Sequence, residues 1–334
     1  VSLIPRIYRH TDPGAPALSG IVGSLTALLD AVLVDGYGTG PSAKPPAGWT
    51  REFMATNKRA YRNNPVTGTG AFVRVDDDAT SPGNARHAWV RTFLAMTDID
   101  TGTDPAPTAA QLADGVIFAK SDALSSAARP WAIFANERFF YLFVNLNNAA
   151  SPYDGVAHLP FFAGDTVPIR AGDFAAFYVC GSDRTSWTGG SSGGHAMLVA
   201  NFGLEGSFQA NRAGYFSRSY TQAVGAAGGN MCRPSGTTSD DTAGSSGGAY
   251  PNPVNEGVLF ETALLREGPF LPRAVLPNLY VPLHPRPFSH GQVLTGLEGL
   301  PPGTSLTAWN LSSYWGAPAS GSAGQVLLDT SNEW

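Results

Sequence analysis

Charge is scarce in this sequence. Asp, Glu, Lys and Arg together make up 14% of its 334 residues, against roughly 25% in typical soluble proteins. Lysine occurs only at Lys44, Lys58 and Lys120, beside 18 arginines. The formal net charge is −5, and without clustered Lys and Arg there is no electrostatic footprint for a nucleic-acid backbone. Cysteine is nearly missing: Cys180 and Cys232 are too few for a disulfide framework and lack metal-ligand spacing. Cys180 ends the apolar run FAAFYVC and reads as a buried thiol, with a bridge to Cys232 left open. No run reaches the ~18 apolar residues of a membrane span, and no secretory signal pattern opens the sequence. The six histidines (10, 87, 158, 195, 284 and 290) form no HExxH and no pair at helical spacing.

Glycine (39) and proline (26) are abundant, so the polar surface is expected to consist mostly of Gly, Ser, Thr and Asn loops. A well-solvated monomer carries more charge, which points to surface hidden against neighbouring subunits. The arginine bias fits interface cores and planar ion pairs, although a GC-rich gene produces the same bias.

An extended entry (1–18) leads into one amphipathic helix, read over 19–35. Ser19 is the expected N-cap, Ile21, Val22, Leu25, Leu28, Leu29, Val32 and Leu33 fall at helical spacing, and Gly36 stops it. Residues 50–62 (TREFMATNKRAYR) read as a second, shorter helix. From about residue 70 the pattern turns to strands. AFVRV and HAWVRTFLAM form a hairpin around DDDATSPGNAR, and WAIFA and RFFYLFVNL form another around Asn136-Glu137. Further strands are read in FAAFYVC, HAMLVANF, GVLFETALL, NLYVPL, TSLTAWNL and QVLLD. The Gly/Ser-rich tract 221–253 is read as a long loop. The fold class expected is mainly β, sandwich- or barrel-like, with one N-terminal helix and long Gly/Ser/Pro loops. The organisation expected is a body over 1–235, a linker over 236–255 and a smaller β-rich segment over 256–334.

Several stretches imitate catalytic motifs. VDGYGTGPSAK has glycines at 36, 38 and 40 and then Lys44, but it follows a helix, lacks the Walker spacing, and runs into Pro45-Pro46. A turn is the expected role. GSSGG at 190–194 matches a nucleophile elbow around Ser192 with His195 beside it. The same string recurs at 244–248, as Gly/Ser-rich composition alone produces. Asp98, Asp100 and Asp104 imitate half a calcium loop without its glycine and glutamate, and Asp76-Asp77-Asp78 sits in a hairpin loop. Trp131, Phe139, Phe140, Tyr141 and Phe143 offer a stacking platform or, better, a buried strand. No catalytic, cofactor-binding or metal-binding residue is assigned from these patterns.

The blocks "DPGAPALSG", "GSLTALLDAVLVDGYG", "PAGWTREF", "RPWAIFANERFFYLF", "LPNLYVPLHPRPF" and "LLDTSNEW", in this order, resemble a family of tailed-bacteriophage virion structural proteins. The resemblance spans nearly the whole chain apart from 221–253. It implies a non-enzymatic particle component, tail or neck associated, located in the virion. The expected partners are other virion proteins and further copies of the same chain, without nucleic acid, membrane or cofactor. The segments expected to reach neighbours are 1–18 and 221–253. The alternatives are a receptor-binding or fibre-type module for a host glycan, a head decoration protein, and, furthest away, a serine hydrolase using Ser192.

Overall fold

The structure, a computed structural model, describes residues 3–77, 84–146, 159–182, 213–232, 257–267, 271–282, 288–310 and 325–333. It is mainly β. In chain order the elements are β1 (Arg6–Arg9), α1 (Ser24–Leu29), β2 (Thr50–Ala55), β3 (Lys58–Arg62), β4 (Phe72–Asp76), β5 (His87–Phe93), β6 (Ala95–Asp98), β7 (Thr101–Thr103), β8 (Val116–Ala119), β9 (Trp131–Ala135) and β10 (Phe139–Val144). They continue with β11 (Leu159–Asp165), β12 (Val167–Pro168), β13 (Phe177–Gly181), β14 (Ala213–Phe216), β15 (Ala227–Cys232), β16 (Phe260–Glu267), β17 (Leu271–Pro282), β18 (Val293–Thr295), β19 (Ser305–Asn310) and β20 (Gln325–Asp329). A 13-stranded antiparallel sheet runs β1-β9-β10-β11-β13-β14-β15-β16-β17-β20-β19-β18, with β12 also paired to β17. A five-stranded sheet runs β2-β3-β4-β5-β8, and β6 and β7 form a separate hairpin.

The aromatic run at 131–144 explains the layering. Successive side chains of a strand point to opposite faces, and here both faces are covered. Ile133, Ala135, Phe140, Leu142 and Val144 enter one core with the helix (Leu25, Leu28, Leu29) and the five-stranded sheet. Ala132, Phe134, Phe139, Tyr141 and Phe143 enter a second core with Leu265, Leu276, Trp309 and Leu328 of the C-terminal strands. Each fully buried aromatic there stabilises by about 2–3 kcal/mol through surface removed from water. β1 and β19, at and near opposite ends of the large sheet, come together, with the Arg9 guanidinium 5.9 Å from the Trp309 ring. The strands flanking 236–255 are paired, β15 with β16, so the sheet continues across that stretch, which itself lies outside the described residues.

The helix is shorter than its apolar pattern. Ser24–Leu29 is α-helical, and Asp30–Asp35 continues as a wider turn closed by Gly36 N–H to the Ala31 carbonyl at 2.8 Å. Gly36, at φ 77°, ends it as expected. The N-cap is Gly23 rather than Ser19. Ser19 instead accepts, through its carbonyl, the Ser24 hydroxyl at 2.7 Å. The orphaned carbonyls of the last turn are satisfied by the returning chain: Ala47 N–H donates to Val32, and Gly48 and Trp49 N–H donate to Leu33. The GYG-to-AGWT stretch is therefore one closure of the helix end.

Three further expectations are corrected. Residues 50–62 form the β2–β3 hairpin, because Asn57 takes a left-handed conformation (φ 54°) at the turn and Arg51, Glu52, Lys58, Arg59 and Arg62 all stay at least partly exposed on the ribbon. The tract 221–253 contains a strand, β15, at its start. Residues 3–18 are no loose arm: β1 pairs with β9, Tyr8 and Leu18 are fully buried, and Pro16 accepts the Trp131 indole N–H at 2.9 Å.

Candidate interaction surface

The residues singled out by sequence do not converge. Lys44 lies 3.5 Å from Asp12, and its backbone pairs with Tyr37 in both directions. A Cβ on Gly36 would meet the Lys44 carbonyl at 2.7 Å, and one on Gly38 the Pro13 carbonyl at 2.7 Å. The loop is a tight return packed against the entry segment. Asp98 accepts the Ile99 N–H, Asp100 pairs with Lys58 and Arg74, and Asp104 takes a bidentate pair with Arg218 at 3.0 and 2.8 Å. Among the described residues, no group of three His, Cys, Asp or Glu could hold a metal ion. The aromatics of 131–143 are buried and present no stacking platform. Cys180 is a free buried thiol, pushed up to about 12 by desolvation. Ser192, His158, His195 and His284 lie outside the described residues.

What sequence reading missed is a pair of buried cations. Lys120 follows VIFA, and its ammonium pairs with Asp77, with both side chains fully buried. It also donates to the Ile21 carbonyl and the Ser24 hydroxyl. The other Asp77 oxygen accepts Leu25 N–H at 2.7 Å, so a strand end supplies the helix with a cap from 52 residues away. Burial pushes the Asp77 carboxyl up to about 6, against the opposing pull of Lys120. Burial likewise lowers Lys120, against the pull of Asp77.

Arg273 sits in β17, also fully buried. Its guanidinium donates to Asp173 at 2.9 and 3.3 Å, to Glu267 at 2.6 Å, and to the carbonyls of Arg218 and Ala175. The Phe216 ring lies 4.1 Å from it. Burial acts to raise the Asp173 carboxyl, but hydrogen bonds from Arg273 and Gln222 outweigh it and hold the group below its ordinary value. A single charge inside an apolar strand run was the available signal in both cases.

The second hub is bonded to the loops that carry Ile169, Phe174 and Val224, three exposed apolar side chains. Ile169 N–H bonds the Arg273 carbonyl, Gln222 donates to Asp173, and Tyr220 N–H donates to Glu267. Arg218 lies over the Phe174 ring and Arg170 over the Tyr220 ring. On this base Ile169 is 55% exposed, Phe174 54% and Val224 80%, with Leu271 at the margin. Large apolar side chains exposed together on a rigid support mark a contact surface. No family model matches the chain, and no curated protein is similar to it.

Proposed function

We propose that the chain is a non-enzymatic structural component of a tailed-phage particle, tail or neck associated, which assembles as a symmetric oligomer with other virion proteins. The observation that carries the assembly reading is the patch of Ile169, Phe174 and Val224 held on the buried Arg273 hub. Ordering those loops before contact lowers the entropy lost on association. The low surface charge and the sequence resemblance to virion proteins supply the context. The test is quantitative mass spectrometry of purified particles combined with localisation by antibody labelling. The expected result is stoichiometric incorporation, with a copy number matching a three-, five-, six- or twelve-fold axis. Particles that lack the protein overturn the reading.

A further inference from the structure

Resting on that reading, we propose that the patch around Phe174 is one half of a head-to-tail contact whose other half is strand β2 of a second copy of this chain. Among the described residues of the patch, one cation lacks a carboxylate partner. Arg218 is occupied by Asp104 and Arg273 by Asp173 and Glu267. The exposed Arg170 lies over the Tyr220 ring and donates to the Tyr220 carbonyl at 3.2 Å, with no carboxylate partner among the described residues. A fitting occupant therefore brings an acid beside an apolar side chain.

Strand β2 presents that pair. Arg51 and Phe53 turn back onto their own subunit, Arg51 to Asp30 at 3.0 Å and Phe53 against the Phe72 ring. Thr50, Glu52 and Met54 are left outward, with Met54 64% exposed. Glu52 is the extra residue of a bulge, lying between the pairs Arg51–Tyr61 and Phe53–Ala60. Its carboxylate accepts the Thr50 hydroxyl at 2.6 Å and meets no cation among the described residues. The flexible thioether of Met54 adapts readily to aromatic neighbours such as Phe174. Because the bulge interrupts the strand edge, contact is made by side chains and not by adding a strand to the sheet. Two different surfaces of one chain then meet, and such heterologous contacts generate rings or filaments.

The experiment is sedimentation of the full chain over a concentration series. Arg170→Glu and Glu52→Arg are each expected to weaken self-association by about tenfold or more, and the combined swap to recover most of it, as for close interfacial charge pairs. In parallel, Glu52→Cys and Arg170→Cys chains are mixed with a short bifunctional maleimide, which spans the reach of an Arg–Glu pair where a direct disulfide would not, and a cross-linked heterodimer is expected only in the mixture. Both sites are exposed, so unchanged unfolding curves verify that the variants fold. A monomeric wild type, unaffected single variants, absence of recovery in the swap, or no cross-link overturns the contact. Mass spectrometry of particles answers separately: protein present in particles with this contact refuted leaves the structural role standing and removes only the inference.

Discussion

The Lys120 and Arg273 centres solve the same problem with opposite results. Each buries a cation completely beside a carboxylate. Around Lys120 there is one carboxylate among the described residues, and desolvation dominates: Asp77 moves up and Lys120 down, both toward the neutral form. Around Arg273 there are two carboxylates, two carbonyls and an aromatic face, and Asp173 is held below its ordinary value. The planar guanidinium can use several partners at once, whereas an ammonium is a compact point charge. Burial alone therefore says little about whether a buried charge stabilises; the number of partners decides it.

The largest effect expected is at Arg273. Arg273→Ala strands Asp173 and Glu267 and should cost about 4–5 kcal/mol or prevent folding, read by urea unfolding. Arg273→Lys should recover little, because one ammonium cannot replace the fork.

Asp77→Asn keeps an acceptor for Leu25 N–H but leaves Lys120 without its counter-ion, and should cost about 3–5 kcal/mol. Adding Lys120→Met should return the protein to within about 2 kcal/mol of wild type, since a buried ion pair is often matched by a neutral pair of similar volume. If the double variant is as unstable as the single, the Lys120 pair is a net stabiliser and the contrast collapses.

The pH dependence should separate the centres by sign. Asp77 is raised in the folded state, so between its ordinary value of 3.8 and about 6 the native protein holds the extra proton. Its contribution to stability is largest at low pH and declines as pH rises through that window. Asp173 is lowered, so its contribution is present above 3.8 and is lost as pH falls through its depressed folded value. The wild-type minus Asp77→Asn difference in urea midpoint, followed from pH 3.5 to 7, should slope downward with pH, and a flat difference overturns the assignment. Lys44 sets the lower limit: partly exposed and paired with Asp12, it should cost less than about 1 kcal/mol on Lys44→Ala, as surface pairs do.

The parts of the fold legible in sequence were those with one dominant local cause. The hairpins at 72–93 and 131–144 followed from dense β-branched and aromatic residues, and Gly36 marked the helix stop. The 50–62 hairpin was missed because an exposed ribbon needs no apolar alternation, and its turn rests on a single left-handed Asn57. Ser19 was misread because the helix draws its cap from Asp77, a contact that no local pattern announces. The patch was illegible for the same reason: Ile169 reaches β17 through the β12–β17 pairing and Tyr220 through its bond to Glu267, both across long stretches of chain.

The two-sided burial of β9 and β10 has a further consequence for how this chain tolerates change. Odd positions of β9 and even positions of β10 serve one core, and the interleaved positions serve the other. The hairpin thus carries two messages in one reading frame. Inserting or deleting a single residue within β9 or β10 is a frameshift for packing: the residues beyond it in that strand exchange faces, and so exchange cores. Neither half can be repaired without the other, so substitutions in this hairpin can accumulate one at a time while its length cannot drift.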